Sequence, residues 1–168
     1  MPTLHKILPA AAAAGLLILA GPTATAAPVG KDAARCASGT GPALLVNLRG
    51  VKARRGALNL YLFNGPGTWL KSGQRVNRVN VPASANALDV CVAVPRPGTY
   101  ALAVRHDING SRSSDWNDGA GFSRNPKLSL TRFRPGFAQA AIPVGPGVTR
   151  VPVVLQYRQG LTVGPAKG

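Results

Sequence analysis

The sequence has no glutamate. Its five acids are all aspartate, set against 20 lysines and arginines, so the 168 residues carry a formal charge of +15. Glutamate is a good helix former, whereas glycine and proline are poor ones and supply 20 and 15 residues. That balance argues against an all-α protein. Aromatic residues make up 5% of the chain, too few for a face on which nucleic-acid bases stack. There are two histidines, and His5 sits among the first residues, which leaves His106 as the one imidazole of the main part. Neither a Gly-x-Ser-x-Gly nor a His-Glu-x-x-His stretch occurs, so two common hydrolase signatures are missing.

What is present begins with a targeting pattern. Met1–Lys6 is a short basic start, and 7–20 is an apolar run shorter than the roughly 20 residues of a membrane span. Gly21-Pro22 and Ala24-Thr25-Ala26 follow, small residues that suit a signal peptidase acting after Ala26, with Ala27 as the next site. An anchor helix that stays uncleaved is the alternative. Export predicts a periplasmic or extracellular protein with no transmembrane helix after cleavage. Cys36 and Cys91 are the only cysteines, and in an oxidising compartment they most simply form one disulfide. Two buried thiols are the other reading.

The rest reads as short strands. Residues 27–42 form a leader, flexible and pinned by Cys36. Period-2 patterns then place Leu44, Val46 and Leu48 on one face, and Leu58, Leu60 and Leu62 on another. Val76–Val81 is a weaker strand. Leu88, Val90, Val92 and Val94 share a face, as do Tyr100, Leu102, Val104 and His106. A loop is expected from Asp107 to about Gly136, then strands over 137–144 and 149–157, with Pro152 marking an edge or a bulge. A short helix is allowed only at 68–73. The expectation is therefore an all-β domain over 43–158, an immunoglobulin-like or transthyretin-like β-sandwich of about seven strands, with 159–168 as a tail. A small barrel is the alternative.

The long loop holds three of the five aspartates together with His106 and Trp116. Counted from Asp107, the residues Asp107, Asn109, Ser111, Asp115 and Asp118 fall at the oxygen-bearing positions of a calcium loop. Arg112 stands where that loop needs glycine, and Asp118 reaches less far than the usual glutamate. The competing reading is that these side chains cap backbone groups in Asx-turns without metal. His106 and Asp107 suggest a general base with an orienting carboxylate, but neighbours in a strand face opposite ways. A strand-end histidine bonded to loop carbonyls is the plainer expectation. Phe122 is read as an anchor onto the sheet, in a turn with Ser123 and Asn125 that could instead contact a ligand. Trp69 and Trp116 are core lids or stacking platforms, Trp116 being the better platform for a sugar.

The run His106-Asp107-x-Asn109-Gly110, with Gly121-Phe122-Ser123-x-Asn125 beyond it, resembles the bacterial family called domain of unknown function 2141. Pro97-Gly98-Thr99-Tyr100-Ala101 matches that family's turn into its central strand, and Gly50 to Gly56 before a Leu-rich strand fits as well. The resemblance covers roughly residues 43–157. It implies an exported β-sandwich protein and carries no activity, substrate or cofactor with it. Ser111-Arg112-Ser113-Ser114 departs from the further Asn, Gly and acidic residues common in such members, which weakens any shared ion site.

The basic residues fall in small groups, Lys52-Arg54-Arg55, Lys71-Arg75-Arg78 and Arg124-Lys127-Arg132-Arg134, with no long run. Export separates them from cytosolic nucleic acid. Anionic envelope polysaccharide or glycolipid is the partner such a charge would meet, and a merely solvated basic surface is the competing reading. The expected function is a non-enzymatic binding or envelope-associated module without a cofactor. An enzyme or calcium-dependent module using the Asp107–Asp118 loop is the alternative.

Overall fold

The computed structural model describes residues 27–166, and the expected signal segment lies outside the described residues. The described residues are mostly β, with ten strands in two sheets and two short helices. The first five strands follow the period-2 runs: β1 (Ala43–Arg49), β2 (Ala57–Phe63), β3 (Asn77–Pro82), β4 (Leu88–Ala93) and β5 (Gly98–Asp107). Because side chains alternate across a strand, one set from each strand enters a shared core. Leu44, Val46, Leu58, Leu60, Val90, Val92, Leu102 and Val104 meet there.

Five shorter strands complete the sheets: β6 (Gly119–Phe122), β7 (Ala141–Val144), β8 (Val148–Val154), β9 (Gln156–Gln159) and β10 (Thr162–Pro165). The smaller sheet runs β4-β1-β8, with β1 antiparallel to β4 and parallel to β8. The larger runs β10-β9-β6-β5-β2-β3, and β7 also pairs with β5. On the side of β5 away from β2, β7 takes Gly98–Ala101 and β6 takes Ala103–His106.

The count of ten corrects the expected seven, for three local reasons. The segment read as a loop contains β6, whose Gly119-Ala120-Gly121 hides the alternation. A Cβ on Gly119 would run into the Tyr157 ring, so the absent side chain is what lets β9 lie beside β6 with that ring turned inward. The expected strand over 149–157 breaks at Leu155, whose N–H turns to the Arg49 carbonyl at 3.0 Å, and the chain passes from the smaller sheet to the larger. The expected tail folds back as β10 against β9. Pro152 does lie on an end strand, where its missing donor is tolerated.

Three further expectations change. Segment 137–144 opens as helix α2 (Phe137–Ala140), where the Gly136 N–H donates to the Gln139 side chain at 2.9 Å, and becomes a strand only afterwards. At 68–73 there are consecutive turns rather than a helix, because Leu70 and Gly73 take φ of 56° and 77°. The leader is docked. Val29 bridges Val90 in parallel, and helix α1 (Ala33–Ser38) follows, ending at Gly39 with a left-handed φ of 68°. The Asp32 carboxylate accepts the Ala93 N–H and the Asn77 amide, each at 2.9 Å, fixing the segment to β4 and β3.

The larger sheet is covered on its second face too. Phe63, Ala101, Ala103, Phe122, Leu128 and Ala140 form a separate buried cluster there, with Trp69 packed against it. Trp69 is thus a lid, its ring edge-on to Phe63 and Phe137 and its N–H donated to the Pro135 carbonyl at 2.7 Å. No helix among the described residues is long and apolar enough to cross a membrane.

Cys36 and Cys91 lie at bonding distance, with Cα atoms 5.9 Å apart across a separation of 55 residues. Cross-linking a loop of this length restricts the unfolded chain. The Cys36→Ser/Cys91→Ser variant is expected to lose about 2–4 kcal/mol of unfolding free energy. Urea titrations with and without reductant check this, and identical midpoints would show that the thiols are unbonded.

Candidate functional site

The C-terminal end of β5 sends successive side chains to opposite faces. His106 points inward and is 0% exposed. Its Nε2 lies 3.0 Å from the Arg55 carbonyl, which only accepts, so Nε2 carries the proton. Nδ1 then accepts from the Tyr157 hydroxyl at 2.8 Å, and that hydroxyl accepts the Lys52 N–H at 3.1 Å. Every polar group of this buried node is satisfied by a neutral imidazole. Burial lowers the His106 pKa, against the opposing pull of the Arg55 carbonyl, Asp118 and Asp107. Burial likewise pushes the Tyr157 hydroxyl up to about 12. The histidine therefore joins a loop carbonyl, as the plainer expectation had it, and Asp107 does not orient it.

Arg105 and Asp107 point the other way. The Arg105 guanidinium lies 3.4 Å from the Asp107 carboxylate and 3.9 Å from that of Asp118. It also donates to the Ser113 carbonyl and, at 3.1 Å, to the Arg112 carbonyl. The loop is wrapped around this cation. Asp107 accepts the N–H groups of Gly110 at 2.8 Å and Arg112 at 3.0 Å, and Asp118 accepts those of Asp115 and Ile108. Asp115 is bonded by the side chains of Asn109, Ser111 and Ser113, which hold its carboxyl below the usual range, Ser111 most strongly. Burial raises Asp118, against those two N–H groups and Arg105.

This is the Asx-turn arrangement, and it does not fit the calcium set. The five expected ligands do not converge on one point, because Asp107 and Asp118 face a resident guanidinium and Asp115 faces its own serines. Among the described residues no three His, Cys, Asp or Glu side chains are grouped to hold a metal ion.

The loop's main product is a wall. Beside it, on the outer face of the larger sheet, lies a groove of about 390 Å³. Tyr61, Phe63, Ala103, Ala120 and Phe122 form its floor, and the segments around Lys71 and Phe133 close its other sides. Lys71, Arg75, Arg105, Arg112, Arg134 and Arg158 line it, against only Asp115 and Asp118. Two of these cations are stacked. The Arg158 guanidinium carbon is 4.0 Å from the Phe133 ring centre and 4.7 Å from that of Trp116, and Arg75 is 5.1 Å from Tyr61.

Sequence reasoning missed this groove. Its cations come from four separate stretches, and only the outward Tyr61, Phe63, Ala103 and Arg105 of β2 and β5 hinted at a second, partly apolar face.

The remaining candidates divide between packing and exposure. Phe122 is buried against Trp69, with ring centres 6.0 Å apart, while also flooring the groove. Ser123 is buried at the seam where β6 ends and β7 begins, accepting the Leu102 N–H at 2.9 Å and donating to the Ala140 carbonyl. Asn125 turns its amide to the edge of β8, donating to the Pro152 carbonyl at 3.0 Å and accepting the Val154 N–H at 2.7 Å. Trp116 is 66% exposed, the one large aromatic among the described residues offered openly to solvent.

Arg105→Met leaves Asp107 and Asp118 buried without their cation and is expected to lower stability by about 3 kcal/mol, measured by urea unfolding. His106 stays neutral when folded but takes up a proton in the unfolded chain below about pH 6.5. Unfolding is thus favoured as pH falls from that value toward the lower folded one, and Asp118, shifted upward, acts in the opposite sense at more acid pH. His106→Gln is expected to flatten the decline between about pH 7 and 5.5, read from urea midpoints.

A family model described as "Uncharacterized protein conserved in bacteria (DUF2141)" matches residues 46–152, more than half of the chain. No curated protein and no solved structure matches it significantly. The match runs from β1 through the Arg105 loop and the Asn125 clasp into β8, so this chain belongs to the DUF2141 family.

Proposed function

We propose that the protein is an exported, non-enzymatic β-sandwich module, immunoglobulin-like or transthyretin-like, that binds an anionic glycan or glycolipid of the cell envelope. One observation carries the reading: six cations line a groove with an apolar floor and only two acids. Among the described residues, Lys71, Arg75, Arg134 and Arg158 have no carboxylate within ion-pairing distance. Such a concentration of one sign above aromatic rings favours a ligand with negative charge and a flat apolar face. Exposed Trp116 beside Arg158 extends that face. The engagement of both His106 nitrogens supports a binding role over a catalytic one, and the signal-like segment at 1–26 supports export.

The protein is expected to be retained on immobilised lipopolysaccharide at low ionic strength and released by salt, which screens charge over about 10 Å at 0.1 M. Lys71→Glu/Arg134→Glu should weaken retention about tenfold or more, whereas Arg96→Glu/Arg150→Glu, outside the groove, should change it far less. Equal loss in the two variants would sink the groove as the site. Export is checked separately, by finding Ala27 as the N-terminus of protein recovered outside the cytosol.

A further inference from the structure

We infer that the group this groove selects is a phosphomonoester borne on a ring or other apolar body; the inference rests on the anion-binding reading above. The first argument is the kind of cation. Apart from Arg105, which its own carboxylates and carbonyls enclose, four of the five are arginine, whose planar fork presents paired N–H donors to two oxygens at once, where lysine offers a point charge. The second is their orientation. Arg158 is held against Phe133 and Trp116, and Arg75 against Tyr61. A guanidinium stacked by its face keeps donors along its edge, and stacking reduces the freedom lost when an anion arrives.

The third argument is charge. Asp118 faces Arg105, and Asp115 is held by Asn109, Ser111 and Ser113, so neither acid neutralises Arg75, Arg134, Arg158 or Lys71. A carboxylate or a sulfate ester brings one negative charge. A phosphomonoester brings about 1.5–2 and three acceptor oxygens, enough to engage more than one guanidinium. The fourth is size. A volume of about 390 Å³ sits at the small end of ligand sites, which suits one head group and the ring beside it rather than a length of polymer. Tyr61, Phe63, Ala103 and Phe122 give that ring an apolar floor.

The test is calorimetric titration of the full mature protein with phenyl phosphate, phenyl sulfate, benzoate and inorganic phosphate at neutral pH and constant ionic strength. Phenyl phosphate is expected to bind about tenfold more tightly than phenyl sulfate or benzoate, and more tightly than inorganic phosphate, which lacks the ring. Arg75→Gln/Arg158→Gln should abolish that preference while leaving circular dichroism unchanged, and Arg96→Gln/Arg150→Gln should preserve it. Phosphatidylcholine vesicles carrying phosphatidic acid, set beside soluble phenyl phosphate, separate a lipid headgroup from a soluble ester as the source, and vesicles carrying phosphatidylglycerol, a diester, are expected to bind less. Equal affinity for phosphate, sulfate and carboxylate, all weakened by the groove variant, would overturn the phosphomonoester and leave the anion groove standing. No binding by any probe, with lipopolysaccharide retention intact, would overturn it as well.

Discussion

A guanidinium sits half-buried on the outer face of β5, and much of the site is arranged around it. Arg105 needs anionic or carbonyl partners because its desolvation is otherwise costly. Asp107 comes from the end of its own strand and Asp118 from the entry to β6, so neutralising the guanidinium fixes both ends of the intervening loop. The carbonyls of Arg112 and Ser113 complete the enclosure. Of what looks in sequence like a set of ligands awaiting a cation, Asp107 and Asp118 already face one, and Asn109, Ser111 and Asp115 bond one another. The loop so fixed stands as one wall of the groove.

The same strand anchors the interior through the neighbouring residue. His106 joins the Gly50–Gly56 turn to β9 by way of Arg55 and Tyr157, across positions far apart in the chain. Gly119 leaves the space that the Tyr157 ring fills. One dipeptide thus holds the sheet on both faces, by a charge outside and by a neutral hydrogen-bonded chain inside. The two environments are compatible because alternation along the strand keeps the imidazole away from the guanidinium.

The strands that were legible beforehand are those whose branched and leucine side chains alternate over six or more residues, as in β1, β2, β4 and β5. Those that were not are four residues long or built from glycine and alanine, as β6 is, and owe their existence to the neighbours that pair with them. The break at Leu155 was hidden because the apolar alternation continues through it while the chain changes sheets. His106 could be placed, since its period marked it as inward and adjacent strand residues cannot face together. The groove could not: Lys71, Arg105, Arg134 and Arg158 meet only through the sheet order and the loops that cover its outer face. Arg105 in particular carries no signal in the sequence, because a lone arginine in a basic chain is distinguished only by the carboxylates that the fold brings beside it.

The smaller sheet has only three strands, and both of its borders are occupied by the chain itself. Along β4 the docked leader supplies backbone through Val29, and along β8 a single side chain, Asn125, offers its amide where another strand's peptide would lie. Open borders of this kind are where separate molecules join into extended sheets. An amide that copies the peptide group, followed at once by Pro126, ends the hydrogen-bonded row instead of extending it. The clasp thereby closes the Pro152–Val154 end of β8 to a further strand, as the leader closes β4 about Val90.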